Sequence, residues 1–157
     1  MVTDVVTRLA TADDRTALWE WYRDPVRYSF FKTQPAVTKD QSRTWFNQFL
    51  TSNQRTRLYV VLVDIIRIGF VRLELVRPDE FEATIFIRPP YLGKGFVPRA
   101  LISATSELRK HRPGARVFAN VRRSTPQAEQ LFASDEFFTE PHGDSAFRVN
   151  VIQGALR

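Results

Sequence analysis

Hydrophobic residues in the first part of the chain change from strand-like to helix-like spacing. The segment Val5–Leu9 is short, β-branched and partly alternating, which predicts a first strand. Thr11, followed three residues later by Asp14, is typical of a helix start. Apolar residues then share one helical face until Pro25 ends the pattern: Leu18, Trp21 and Tyr22. A strand followed by a short helix is therefore predicted.

A second helix is predicted after an aromatic and basic segment. Thr38 and Gln41 have the spacing of a capping box, in which two side chains satisfy the free N–H groups of a helix start. Large apolar side chains follow on one helical face: Trp45, Phe46, Phe49 and Leu50. The segment between the two predicted helices reads Arg27-Tyr28-Ser29-Phe30-Phe31.

From Leu58 onward the hydrophobic residues follow the pattern of strands. Turns around Asp64 and Pro78-Asp79 separate runs that are rich in β-branched and aromatic residues. These runs predict three consecutive antiparallel strands: 58–63, 66–76 and 81–87.

The remaining part of the chain predicts two helices and three strands. Pro98–Lys110 carries its apolar residues on one helical face, and Arg116–Val121 has the composition of a strand. Thr125-Pro126 is typical of a cap and first helical position. Two short strands follow, one near Phe137 and one over Phe147–Ile152. The order β-α-α-β-β-β-α-β-α-β-β predicts an α+β domain with a mixed, mostly antiparallel sheet flanked by helices.

Composition limits the function classes. The 157 residues, 43% of them hydrophobic, suffice for one domain over 1–157 with one core. With no cysteine and two histidines, disulfides, thiolate catalysis and a Cys/His zinc site are excluded, and no metal is expected. No apolar run reaches the roughly 20 residues of a membrane span, and no signal-peptide pattern is present. We therefore expect a soluble, cytoplasmic protein.

The net charge of +6 favours anionic partners. Such a charge attracts nucleic acid, but equally a polyphosphate cofactor or a nucleotide-linked substrate. The densest basic cluster, Arg109-Lys110-His111-Arg112, ends a predicted helix, where cations complement the helix dipole. Nucleic-acid binding is therefore the second interpretation, after binding of a smaller anion.

The stretch Ile85–Pro98 predicts a strand, a two-glycine turn and a helix. Glycines let backbone N–H groups approach an anion, and the helix N-terminus adds partial positive charge. Lys94 adds a full positive charge. The stretch lacks the third glycine of the dinucleotide fingerprint and the Gly-Lys-Ser/Thr ending of a Walker loop. A pyrophosphate-binding turn and a merely flexible loop remain as interpretations.

This turn resembles the acetyl-CoA loop of the GNAT superfamily of N-acetyltransferases, R/Q-x-x-G-x-G/A. Leu92 stands where Arg or Gln is usual, and Val97 where Gly or Ala is usual. The resemblance implies the GNAT fold, acetyl-CoA as co-substrate and acetyl transfer to a primary amine. It implies these cofactor-binding residues on the loop: Leu92, Gly93, Lys94, Gly95, Phe96, Val97 and Pro98.

The C-terminal part is similar to a second signature of the superfamily, V-x-x-x-N-x-x-S/A-x-x-x-Y-x-x-x-G-F. Matches fall at Val121, Ala128 and Phe137, and departures at Thr125, Phe132 and Glu136. By resemblance, Thr125 and Phe132 border the cofactor. Phe132 takes the place of a Tyr that protonates the leaving thiolate in many relatives, so water or another hydroxyl must supply that proton.

The N-terminal half resembles the subgroup that acetylates nucleotide-linked amino sugars, including the pseudaminic-acid pathway enzyme. The corresponding text is Trp19-Glu20-Trp21-Tyr22-Arg23-Asp24, then the segment 27–31, then Thr44-Trp45-Phe46. The acceptor-binding residues that follow from it are Arg27, Tyr28, Phe30 and Phe31. Ribosomal-protein or N-terminal, polyamine and antibiotic acetyltransferases remain alternatives, as does a non-catalytic CoA-binding protein, and a homodimer is left open.

The resemblance also implies how the reaction is carried out. Ile85, Phe86 and Ile87 would pair with the pantetheine arm along a splayed strand, and a strand N–H would face the thioester oxygen. Glu82 lies on the same strand, near where relatives place a base that acts directly or through water. A surface glutamate on an alternating strand is the structural alternative for this residue.

Overall fold

Strands are the most frequent regular structure in the part of the chain that the structure describes. The structure is a computed structural model, and it describes residues 4–22, 44, 55–122 and 130–152. Its strands are β1 Val5–Leu9, β2 Thr56–Val63, β3 Ile66–Arg77, β4 Glu80–Ile87, β5 Arg116–Arg122, β6 Phe137–Pro141 and β7 Ala146–Val151. Its helices are α1 Arg15–Tyr22 and α2 Phe96–His111, with short 3₁₀ turns at Ala12–Asp14 and Pro89–Tyr91.

The seven strands form one sheet in the order β1-β2-β3-β4-β5-β7-β6. Among the described strands, β4 and β5 pair in parallel and all other neighbours are antiparallel. A parallel pair requires a crossover, and α2 supplies it. The predicted α+β fold with a mixed, mostly antiparallel sheet is therefore confirmed.

Side chains alternate between the two faces of the sheet. The larger core lies between the sheet and α2, which contributes Ala100, Leu101, Ala104 and Leu108, all fully buried. On the opposite face, Leu18 of α1 packs with Leu58, Phe70 and Phe86 in a smaller cluster. The rings of Phe70 and Phe86 stack with centroids 5.7 Å apart. Each face of the central strands is therefore covered by a helix.

The predicted elements agree with the observed ones wherever the structure describes the chain. The helix predicted from Pro98 begins two residues earlier, at Phe96, because Gly95 takes the N-cap position. The capping box of Thr38 and Gln41 lies outside the described residues, and so does the helix start at Thr125-Pro126. Among the helices of the described residues, none is both long and apolar enough to cross a membrane.

A buried carboxylate ties the start of α1 to the sheet. Asp14 is fully buried and accepts hydrogen bonds from the Thr11 backbone N–H at 2.8 Å and from both terminal nitrogens of Arg8 at 2.7 and 2.9 Å. Arg67 of β3 adds a third partner through its Nε at 2.8 Å. Burial alone raises the pKa of Asp14, but these hydrogen bonds outweigh it and hold the pKa well below its usual range. We call Arg8, Asp14 and Arg67 the Asp14 cluster.

Candidate active site

The sheet opens between β4 and β5. The two strands pair over three positions, Glu80 with Arg116, Phe81 with Val117 and Glu82 with Phe118. Beyond these pairs β4 continues along β3 and β5 continues along β7, each as far as its own end. The two strands thus diverge towards the carboxyl end of β4 and leave a wedge between them, which we call the strand opening.

The edge of β4 offers backbone groups to this opening. Along an antiparallel strand, successive residues direct their N–H and C=O groups alternately to the two sides. The Arg88 N–H donates to the Ile68 carbonyl of β3 at 2.7 Å. The same alternation places the polar backbone groups of Phe86 towards β3 and those of Ile85 and Ile87 towards the opening. A ligand in the opening can therefore hydrogen-bond to β4 as a neighbouring strand would.

Gly69 lets β3 approach this end of β4 closely. A Cβ built on Gly69 would lie 1.9 Å from the Phe86 carbonyl oxygen, which no side chain tolerates. The pairing of β3 with β2 shifts register next to this residue, as at a bulge. The glycine therefore helps to fix where the carboxyl half of β4 lies.

A two-glycine turn follows β4 and leads into α2. Gly93 and Gly95 have φ values of 78° and 81°, in the left-handed region that favours glycine. A Cβ at either position would have nothing within 4 Å, so the space above the turn is open. Gly95 is the N-cap of the 16-residue α2, whose first N–H groups carry partial positive charge. The predicted order of strand, turn and helix is confirmed, and the turn is shaped to receive an anion.

The predicted cofactor-binding residues of this turn have different surroundings. Gly93, Lys94 and Gly95 are exposed, Leu92 and Pro98 are half-buried, and Phe96 and Val97 lie in the core. The Tyr91 ring tilts against Phe96 with centroids 6.3 Å apart, and the Arg88 guanidinium lies over Tyr91 at 5.6 Å. The exposed residues can therefore contact an anion, while the buried ones anchor the turn.

Glu82 lies at the last pair before the strands separate. It is half-buried on the face of β4 that also carries Phe86, opposite the α2 face. Its Oε2 accepts a hydrogen bond from the Asn120 side-chain amide of β5 at 3.1 Å. Glu74 of β3 is its register partner and forms an ion pair with Arg72 at 3.4 Å. A carboxylate at the vertex of the opening is within reach of a molecule bound there.

Sequence reasoning missed the residues that support this carboxylate. Asn120 Oδ1 accepts a hydrogen bond from Arg148 Nε of β7 at 3.4 Å, and the Arg148 guanidinium lies 4.2 Å from the centroid of the Phe118 ring. The alternation of β5 does place Asn120 on the face of Phe118, which was predictable from the sequence. The strands that neighbour β5 were not predictable, because they depend on the order of strands in the sheet.

Other predicted site residues lie elsewhere or outside the described residues. Phe132 is buried in the larger core and meets Phe137 edge to face, with centroids 5.2 Å apart. Thr125 and the acceptor-binding residues Arg27, Tyr28, Phe30 and Phe31 are outside the described residues. Their assignments stay predictions.

Comparisons with known proteins agree with this geometry. A profile of the acetyltransferase (GNAT) domain matches residues 4–133. No curated protein matches the chain in sequence. The spermidine N-acetyltransferase from Vibrio cholerae, solved in complex with CoA and spermine, is similar in structure with a TM-score of 0.78, 20% identity and 96% of each chain covered.

Two further solved structures share the fold. The ribosomal L7/L12 α-N-protein acetyltransferase RimL, in complex with coenzyme A, has a TM-score of 0.75 and 13% identity, covering 97% of this chain and 96% of its own. The PaiA N-acetyltransferase from Thermoplasma acidophilum, also in complex with coenzyme A, has a TM-score of 0.63 and 16% identity. The match covers 94% of this chain and 98% of the PaiA chain. At such identities these likenesses concern the fold.

Proposed function

Because the chain belongs to the acetyltransferase (GNAT) domain family and is an acetyl-CoA-dependent N-acetyltransferase, we propose that it acetylates a primary amine on a small, negatively charged molecule. The observation that carries this proposal is the strand opening, which leads from a carboxylate at its vertex to a glycine turn at its mouth. Such an arrangement suits a long thioester with a pyrophosphate at one end.

In this proposal the turn and β4 hold acetyl-CoA. Gly93, Lys94, Gly95 and the first N–H groups of α2 bind the pyrophosphate, since they combine open backbone with positive charge. The backbone groups of Ile85 and Ile87 pair with the pantetheine arm. A β4 N–H near the vertex then faces the thioester oxygen, where negative charge develops during attack.

We assign Glu82 as the general base. The acceptor arrives as an ammonium ion, and its nitrogen attacks only after losing a proton. Glu82 takes this proton directly or through a water molecule. The neutral nitrogen then forms its bond to the acetyl carbon and the C–S bond breaks. The nitrogen releases its second proton to water as the amide forms, and the departing CoA thiolate takes up a proton from water. The side chain of Phe132 is buried and has no proton to give to the thiolate. In this assignment water supplies that proton, and no side chain acts as the acid.

The acceptor that we favour is a nucleotide-linked amino sugar. The chain carries a net charge of +6, which attracts an anionic molecule and repels a polycation. An arginine such as Arg27 can bind phosphate through two parallel hydrogen bonds, and aromatic side chains such as those that follow it in sequence can stack on a base or sugar ring. The polyamine and protein N-terminal substrates of the similar structures are the alternatives to be tested against it.

Gly95→Asp is expected to weaken CoA binding by at least about tenfold, or about 1.4 kcal/mol, because its carboxylate would repel the pyrophosphate. Isothermal titration measures this effect. Gly95→Asn is the matched control, since asparagine has the same shape without the charge and tolerates a left-handed φ. Equal affinity of the two variants would mean that no anion binds at this turn.

An acceptor panel tests the proposed function as a whole. Release of free CoA thiol is followed with acetyl-CoA and a UDP- or dTDP-linked amino sugar, spermidine, or a peptide with a free α-amine. We expect turnover of the nucleotide-linked amino sugar, and Arg27→Ala should raise its KM while leaving the KM for acetyl-CoA unchanged. Turnover of spermidine or the peptide alone would make the acceptor assignment wrong. If no free thiol is released with any of the three amines, the small-amine assignment is wrong.

A further inference from the structure

Asn120 stands between Glu82 and a cation. Its Nδ2 donates to Glu82 Oε2 at 3.1 Å, and its Oδ1 accepts from Arg148 Nε at 3.4 Å. We propose that Asn120 is a positioning residue for acetyl transfer, which holds the Glu82 carboxylate at the strand opening and keeps it out of an ion pair with Arg148. This inference rests on the proposed function, because it concerns the base assigned there.

The chemistry of the three groups permits one orientation of the amide. The guanidinium of Arg148 has donors and no acceptor, whereas the ionised carboxylate of Glu82 has acceptors and no donor. An amide between them must turn its oxygen to the arginine and its nitrogen to the glutamate. The side chain of Asn120 is therefore fixed at both ends, and so is the Glu82 oxygen that it contacts.

Arg148 is itself held in place by its neighbours. Its guanidinium lies over the Phe118 ring at 4.2 Å, and Phe118 is the strand partner of Glu82. Arg148 and Asn120 are also register partners on adjacent antiparallel strands. The cation can therefore neither move away from the site nor be replaced by solvent without loss of these contacts.

Asn120 is a neutral side chain that separates the carboxylate of Glu82 from the guanidinium of Arg148. Two charges of opposite sign attract strongly when they are partly removed from water. If Glu82 paired directly with Arg148, its carboxylate would turn towards β7 and away from the opening. Asn120 fills the space between them, transmits a hydrogen bond to each and leaves the carboxylate over the opening, where the acceptor amine would arrive.

The test is a double-mutant cycle at saturating acetyl-CoA, with the acceptor identified by the panel. Asn120→Leu keeps the size of the side chain and removes both hydrogen bonds. We expect kcat to fall at least about tenfold while the KM for acetyl-CoA stays constant, because displacement of a catalytic group lowers the rate of the chemical step. In the Glu82→Gln background, the same substitution should have no further effect on kcat.

Asn150→Leu is the matched control. Asn150 lies on the same face, on β7, and donates to the Phe138 carbonyl at 3.1 Å and to Glu140 at 3.2 Å. We expect this variant to keep the wild-type kcat. A merely structural role of Asn120 would give equal losses of kcat in the wild-type and Glu82→Gln backgrounds, and that result would overturn the inference.

The outcomes also separate this inference from the proposed function. A large loss in Glu82→Gln together with full activity in Asn120→Leu would overturn the positioning role and leave the base assignment intact. Full activity in Glu82→Gln would remove the base assignment and the inference with it. Circular dichroism and the urea midpoint of each variant establish that the chain is folded, and a variant that fails to fold is replaced by Asn120→Ser.

Discussion

Replacement of Glu82 by glutamine is expected to lower kcat by about 10²–10⁴-fold, the range that a positioned general base contributes. Glutamine keeps the size of the side chain and a hydrogen-bonding oxygen, but it cannot take a proton from the acceptor ammonium. The KM for acetyl-CoA should stay constant, since its proposed contacts are made by the turn and by the backbone of β4. Steady-state kinetics with varied acetyl-CoA and saturating acceptor measures both quantities.

Glu74→Gln is the matched control for this prediction. Glu74 lies on the same face as Glu82 and is its register partner on β3, but it is paired with Arg72 and its side chain is 47% exposed. We expect it to retain a kcat close to that of the wild type. A Glu82→Gln variant that raised only the acceptor KM would reassign Glu82 from proton transfer to acceptor binding.

The second large effect is expected on stability. Asp14→Asn should lower the free energy of unfolding by about 2–4 kcal/mol, because it leaves Arg8 and Arg67 beside a buried neutral amide. This loss of unfolding free energy is smaller than for a fully buried ion pair, since both arginine side chains are more than one third exposed. Urea unfolding at neutral pH measures it. Asp13→Asn, a change at the exposed neighbouring residue, is the control and should have little effect.

The same cluster predicts a loss of stability in acid. The pKa of Asp14 is lowered in the folded chain relative to the ordinary value of 3.8, so folding favours the ionised form. This contribution is present above the unfolded pKa and is lost as the pH falls below about 4. The stability difference between the wild type and Asp14→Asn should therefore shrink with decreasing pH. A difference that stays constant down to about pH 2 would contradict a role for the ionised carboxylate.

The fold was predictable from the sequence where local signals decide it. β2, β3 and β4 are runs rich in β-branched and aromatic residues, and short turns leave them few partners other than each other. The Thr11 and Asp14 spacing correctly indicated the start of the first helix. The sequence predicts α2 from Pro98, whereas the helix begins two residues earlier, at Phe96, because Gly95 occupies the N-cap position.

The site was predictable only in part. The two glycines, the preceding strand and the following helix indicate an anion-binding turn by themselves, since all three are adjacent in sequence. The surroundings of Glu82 were not predictable, because Asn120 lies 38 residues away and becomes its neighbour only through the parallel pairing of β4 and β5. Arg67 joins Asp14 across 53 residues in the same way. Such contacts depend on strand order, which alternation within one strand does not reveal.

The strand opening also leaves a short junction between two parts of the sheet. β1 to β4 are joined by antiparallel pairs, as are β5, β7 and β6, whereas three residue pairs join the two groups within the described sheet. Amide exchange should thus be faster for the β4 N–H groups that face the opening than for those that donate to β3. A ligand that hydrogen-bonds to β4 and fills the wedge adds the contacts that the boundary lacks. At a hundredfold excess over Kd, such binding raises the free energy of unfolding by about 2.7 kcal/mol, so the occupied enzyme is more stable to unfolding than the empty one.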